Sequence, residues 1–270
     1  MSLNLSGPTR PVGMVVALGE ETQAILTSLL ARTRGHLGRF PFWRGPIARR
    51  EVALVQCGPG LDRAREAAQL LIERQNPRIM LSVGMCGGLV PGQQVGDILV
   101  ASKILTGGEP FEADPRVLAV TQRVSVEFHD MGRTPEKGSS IKGYRCSEAV
   151  LVSRDQVLTT AARKKAEAAS SGADAVDMES SAVVGVAEEA GIPWCVVRVI
   201  SDTVHEDLPL DFNRFMDASG QPQRIKIFIK SLFNPRLMIR LMAMEKTTRD
   251  IGRVLVRFLE LLLPEMVRES

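Results

Sequence analysis

Residues 78–88 read RIMLSVGMCGG. The first part, RIMLSVG, is a short continuous apolar run, which is the pattern of a strand buried on both faces. It runs into glycines, which mark a turn where backbone can approach a ligand closely. Similar runs occur at GMVVALG (13–19), REVALVQCG (50–58), GDILVASKIL (96–105) and WCVVRVISD (194–202). Helical periodicity fills the intervals at EETQAILTSLLAR (20–32), GLDRAREAAQLLIERQ (60–75) and DMESSAVVGVAEEAG (177–191), the last stopped by Gly191 with Pro193 just beyond. Buried strands alternating with helices predict a largely parallel, helix-covered sheet. Such sheets bind ligands beyond the carboxyl ends of their strands. Residues 106–150 read as less regular, with 130–140 an exposed loop.

Composition narrows the function. The chain has 270 residues, 44% of them hydrophobic, enough for one sizeable core. Its net charge of +3 gives no basic footprint for nucleic acid, and with 4% aromatics there is no base-stacking platform. Four scattered cysteines and three histidines offer no zinc spacing, so no metal or other cofactor is expected. The thiols read as reduced and the protein as cytoplasmic. No apolar stretch is long enough to span a bilayer.

Polar residues collect where that architecture puts a site. Glu20 and Glu21 follow the first strand; Glu21 is either a first-turn helix acid or a site group. Gly84, Gly87 and Gly88 either make a tight turn or open backbone amides to an anion or a water. Arg198, inside an apolar strand, needs a carboxylate partner or an anionic ligand. Asp202 ends that strand as a turn cap or an acid, and His205 reads as a solvated loop residue.

Taken in order, VVALGEET (15–22), SVGMCGGLVPGQQVGDILVAS (82–102), AVDMESSAV (175–183) and VVRVISD (196–202) resemble the nucleoside phosphorylase/nucleosidase family. The methylthioadenosine/S-adenosylhomocysteine nucleosidases are the most similar branch by pattern. The resemblance implies an α/β fold: a single-domain three-layer sandwich around a mixed, mainly parallel sheet. It covers residues 13–212, leaving 213–270 as an amphipathic helical extension. It also implies an enzyme that cleaves the N-glycosidic bond of a purine nucleoside of adenine type, by water or phosphate, as a homodimer or larger homo-oligomer.

Roles carry over by position. Asp202 would protonate the leaving base and Glu21 would orient or deprotonate the nucleophile. Glu179 would hold the ribose hydroxyls, with Met178 against the sugar. Ser201, Gln156 and Val157 would serve the base, Val157 standing where an aromatic is usual. Gly84, Met85, Gly87 and Arg198 would form the nucleophile or phosphate pocket. Asp177 keeps a local role as a helix-start acid, so that Asp177→Asn should cost only a little stability. Met85 stands where the family commonly has Ser, and Ser82 where phosphorylases have Arg, which tilts the reading toward water. The Met85 departure also fits a second reading, a nucleoside-sensing module on the same scaffold.

The tail from 213 resembles the extension of hopanoid-associated phosphorylases, which implies an adenosyl-lipid substrate. Its mixture of Lys and Arg with long apolar side chains over 224–263 fits a membrane surface at the inner face. It fits equally a helix packed on the protein itself.

Overall fold

The computed structural model describes residues 10–30, 32–132, 138–141, 143–215 and 234–266. In chain order the elements are β1 (Val12–Val16), α1 (Gly19–Leu26), β2 (Thr33–Leu37), β3 (Phe40–Ile47), β4 (Arg50–Gln56), α2 (Leu61–Gln75) and β5 (Ile79–Gly88). Next come β6 (Ile98–Leu105), β7 (Phe111–Glu112), α3 (Pro115–Gly132), β8 (Cys146–Ser153), α4 (Ala161–Ser171), β9 (Ala175–Asp177), α5 (Ser180–Glu189) and β10 (Trp194–Asp202). A short 3-10 turn, Phe212–Phe215, precedes the long helix α6 (Pro235–Met266).

β5 organises the sheet. Its first half lies between two parallel neighbours, β1 and β10, and its last two residues pair with antiparallel β9. From β10 the order runs through β6, β8 and β9 and returns to β5, closing a ring. β1, β4, β3 and β2 extend from β5 as an open wing. The sheet is therefore mixed, with parallel and antiparallel pairings evenly divided. The glycine-rich end of the opening stretch is no turn. Gly87 and Gly88 stay in strand because Asp202 and β9 flank them.

Helices cover both faces, which is why the central strands can be apolar throughout. Side chains of α1, α3 and α6 form the core on one face, and those of α2 and α5 form it on the other. Helix α6 is part of the first layer. Ile251, Leu255, Phe258, Leu259, Leu262 and Leu263 are all buried there. Gly252 makes this close packing feasible, because a Cβ at that position would lie 2.7 Å from Ala24 Cβ.

Several expectations need correction. Residues 106–150 hold β7, the whole of α3 and the start of β8. The loop expected at 130–140 begins as the last turn of α3, and its 133–137 stretch lies outside the described residues. Helix α1 is shorter than expected, and the β2–β3 hairpin arm at 33–47 was not anticipated. Of the basic, apolar tail, 224–233 lies outside the described residues, while 235–263 is helical and its second half is buried in the core. No helix among the described residues is long and apolar enough to cross a membrane.

Candidate active site

A cavity of about 1110 Å³ opens beyond the carboxyl ends of β1, β5 and β10, beside the turn from β9 into α5. Glu21, Met85, Gly87, Gln156, Val157, Met178, Glu179, Ser201 and Asp202 all line it. Gly84 and Arg198 lie behind this lining rather than in it.

Glu21 bridges the start of α1 and the end of β5. Its Oε2 accepts the Leu18 N–H at 2.8 Å, tying down the start of α1. Its Oε1 accepts the Met85 N–H at 2.8 Å, reaching across to β5. Gly84 permits that approach, since a Cβ there would lie 2.9 Å from Glu21 Oε1. Burial raises the Glu21 carboxyl above its ordinary range, against the lowering pull of those two amides and of Arg198.

Glu179 sits at the entry to α5 and is 8% exposed. Its Oε1 accepts the Gly60 N–H at 3.0 Å. Gly60 has φ +104°, a left-handed value that glycine adopts without strain and that turns its amide toward the carboxylate. Burial raises Glu179 strongly, and the nearby Asp177 charge raises it further.

Arg198 finds the carboxylate partner that its burial demanded. At 1% exposure, it donates from Nε to Asp177 Oδ2 at 2.7 Å and from Nη2 to Ser82 and Ser180 Oγ at 2.8 and 2.9 Å. Asp177 also accepts from Ser153 Oγ at 2.6 Å, from the Ser180 N–H at 3.1 Å and from Ser180 Oγ. The view of Asp177 as a simple helix-start acid is thereby corrected. It is the counter-charge of a buried guanidinium, and it lines the cavity beside Met178 and Glu179.

Asp202 carries a neighbour that sequence reading missed. Ser201 Oγ lies 2.6 Å from its Oδ1 and 3.1 Å from the Cys86 carbonyl oxygen. Oδ2 pairs with Lys164 Nζ, from α4, a lysine with 0% exposure. The available signal was helical phase: Lys164 shares a face with Ala168, four residues on, which packs on buried apolar side chains. In the segment expected to face the base, the Val157 N–H donates to Asn213 Oδ1 and its C=O accepts from Asn213 Nδ2, both at 2.9 Å. His205 is exposed, as expected of a loop residue. No cluster of metal-ligating side chains occurs among the described residues.

This arrangement can be set beside known proteins. The family model for the phosphorylase superfamily matches residues 11–231. The chain belongs to the phosphorylase superfamily. Among curated relatives of this superfamily member, the 5′-methylthioadenosine/S-adenosylhomocysteine nucleosidase of Listeria monocytogenes is 24% identical over 218 residues, covering 78% of this chain and 94% of that protein. The nucleosidase of the same name from Staphylococcus aureus is 24% identical over 227 residues, covering 82% and 100%. Among solved structures, the futalosine hydrolase of Helicobacter pylori superposes with a TM-score of 0.71 at 20% identity, covering 95% of this chain and 98% of that one. A mutant Helicobacter pylori nucleosidase with 5′-methylthioadenosine in its active site gives a TM-score of 0.71 at 19% identity, covering 96% and 100%.

One wall of this superfamily member's cavity comes from α6. Met238, Leu241, Met242, Met244, Thr248 and Ile251 face the same space as Asp202. Arg240, Glu245 and Thr247 line it too, so the wall is mixed; its three methionines are side chains that adapt their shape to a ligand.

Proposed function

We propose that this chain cleaves the N-glycosidic bond of a purine nucleoside with water as the nucleophile. The coarser statement follows from family: it is an N-glycosidic-bond-cleaving enzyme of the nucleosidase or nucleoside phosphorylase type. The finer reading rests on one observation: Glu21, Glu179 and Asp202 converge on a single cavity. Breaking the bond leaves positive charge on the sugar and negative charge on the base. Carboxylates around the sugar and an acid at the base stabilise both changes.

In this reading Asp202 gives a proton to the leaving purine. Glu179 accepts the ribose hydroxyls above the apolar side chain of Met178. A carboxyl that burial has pushed upward gains most when positive charge appears beside it, so Glu179 favours the transition state over bound substrate. Glu21, also raised by burial, takes the proton of the attacking water.

Water is favoured over phosphate because the groups that would grip phosphate are already engaged. The Met85 amide is given to Glu21, and Arg198 is bonded to Asp177, Ser82 and Ser180. The test is adenine release from methylthioadenosine in phosphate-free and phosphate buffers. Equal rates with free 5-methylthioribose as the product are expected. Release that requires phosphate and yields the sugar 1-phosphate would overturn the choice of nucleophile.

The methionine wall favours a second reading of the sugar side, a long apolar 5′-substituent as in an adenosyl-lipid. Ile239 and Met242, 67% and 62% exposed, stand beside Arg236 and Arg240 on the same part of α6. That mixture suits contact with an anionic membrane surface. A series of 5′-alkylthioadenosines tests it: KM should fall with each added methylene, and a KM that rises with chain length would exclude it.

A further inference from the structure

We propose that Lys164 is a positioning residue that makes Asp202 an effective acid, by stabilising the carboxylate that Asp202 becomes when its proton goes to the leaving base. The inference rests on the reading of Asp202 given above and adds to it a residue outside the polar groups already assigned.

The observation begins with a lysine that has no access to solvent. A buried ammonium is tolerated when all its donors are satisfied, and a counter-charge beside it stabilises it further. Lys164 Nζ donates to the carbonyl oxygens of Thr203 and Glu206, both at 2.9 Å, and its third direction is taken by Asp202 Oδ2. Three acceptors match the three N–H groups of an ammonium; a neutral amine has only two to give. The acceptor set therefore selects the charged form.

The surroundings keep that nitrogen in place. The start of α4 is stitched to the loop after β10: the Ala161 N–H donates to Asp207 Oδ1 at 2.7 Å and the Leu208 N–H to the Thr159 carbonyl oxygen at 2.9 Å. The Glu206 N–H closes the turn on the Thr203 carbonyl oxygen at 3.1 Å. Lys164 thus spans a fixed gap between a helix and the turn that carries Asp202 into the cavity.

The other oxygen of Asp202 is built for a proton change. Ser201 Oγ lies within hydrogen-bond reach of both Asp202 Oδ1 and the Cys86 carbonyl oxygen, yet a hydroxyl has one proton. With Asp202 ionised, Ser201 donates to it. With Asp202 protonated on Oδ1, Ser201 accepts that hydrogen and turns its own to Cys86. Neither state needs heavy atoms to move. Ser201 accommodates both protonation states, while Lys164 favours the one reached after proton transfer.

The step balances as follows. The C1′–N bond breaks and its electron pair goes to the purine. The proton of Asp202 moves to the purine ring, and Asp202 is left as a carboxylate against the Lys164 ammonium. Water adds to C1′ and its surplus proton passes to Glu21. Exchange with solvent then restores both carboxyls. Lys164 interacts more strongly with the charge formed in the transition state than with the neutral acid before it, so its contribution falls on kcat.

The test compares Lys164→Met, Asp202→Asn and the double variant, each with two substrates: methylthioadenosine, and a 4-nitrophenyl riboside whose leaving group departs without a proton. With methylthioadenosine, Lys164→Met should lower kcat by about 10- to 100-fold, a part of the roughly 10²- to 10⁴-fold that general acid help supplies, with KM little changed. In the Asp202→Asn background the same change should add less than about twofold, because nothing remains for Lys164 to act through. With the riboside, Lys164→Met should stay within about threefold of the parent. Equal losses on both substrates, or the same loss with and without Asp202, would make Lys164 a merely structural residue. If Lys164→Met does not fold, Lys164→Ala with added ethylamine replaces it; recovery of kcat on methylthioadenosine is expected, and none would count against the proposal. A fully active Asp202→Asn variant would instead refute the reading of Asp202 itself.

Discussion

Asp177→Asn separates the structure from the plain sequence reading by a wide margin. As a helix-start acid, Asp177 would be worth a few tenths of a kcal/mol up to about 1. In the fold it is 4% exposed and faces Arg198, which is 1% exposed. Asparagine keeps one acceptor oxygen, enough for Ser153 Oγ or for one N–H of Arg198. Its amide nitrogen then points donors at donors, because the lost oxygen was serving the Ser180 N–H and the guanidinium together. Removing one partner of a buried ion pair costs about 3–5 kcal/mol. The retained acceptor places the cost near the low end, at about 3 kcal/mol. At roughly 2–4 °C per kcal/mol for a domain of this size, Tm should drop by about 6–12 °C. Thermal unfolding followed by circular dichroism at neutral pH measures it, with Asp177→Leu/Arg198→Met as the companion that removes both charges and should lose less. A Tm within about 2 °C of the parent would refute the buried-pair reasoning.

Glu179→Gln should abolish turnover yet raise Tm. Burial lifts the folded-state pKa of Glu179 above its unfolded value, so the parent loses stability as pH climbs from the ordinary glutamate range through the raised one. The Gln variant escapes that loss, and its advantage should grow across the same window; a Tm gap independent of pH would contradict it. Glu21→Gln should cut kcat by about 10²- to 10⁴-fold and erase the acid limb of the kcat profile, a limb that in the parent lies above the ordinary glutamate range because burial raises Glu21. Retention of that limb in the variant would move the base elsewhere. Phe258→Ala in α6 should cost about 3–5 kcal/mol, since Phe258 is fully buried and packs edge-on against Phe128 at 5.1 Å. Chemical denaturation reads the loss, and a change below about 1 kcal/mol would mean that α6 is dispensable to the core.

The fold was legible where burial writes itself into composition. The runs that became β1, β4, β5, β6 and β10 are apolar because helices cover both faces of those strands. The β2–β3 arm escaped notice because most of β2 is exposed and carries no alternation. Its second turn, into β4, puts Ala48 and Arg49 at positive φ, where an Asn-Gly pair would have signalled a hairpin. Helix α3 was missed because the glycines and charges around it dominate the 106–150 stretch, although its buried positions Val117, Val120, Val124 and Phe128 keep helical spacing. In the site, local sequence located the carboxylates but could not pair them. The link from Arg198 to Asp177 joins residues 21 apart, and the link from Lys164 to Asp202 joins α4 to the end of β10.

Those pairings change what the glycine-rich strand end is for. In isolation SVGMCGG offers amides to an anion, and Arg198 offers a guanidinium to the same anion. In the fold each has been given to a carboxylate of the protein: Met85 N–H to Glu21, and Arg198 to Asp177. The glycines serve close approach instead, Gly84 admitting Glu21 and Gly87 leaving Asp202 Oδ2 only 3.4 Å from where a Cβ would stand. A phosphate entering this site would have to displace an internal carboxylate and face two more, at the full cost of like charges in a dry cavity. A water needs only an acceptor for its proton, the part proposed for Glu21, which burial raises. In the proposed water mechanism, the strand-end amide of Met85 holds Glu21 in place as the base instead of gripping a phosphate.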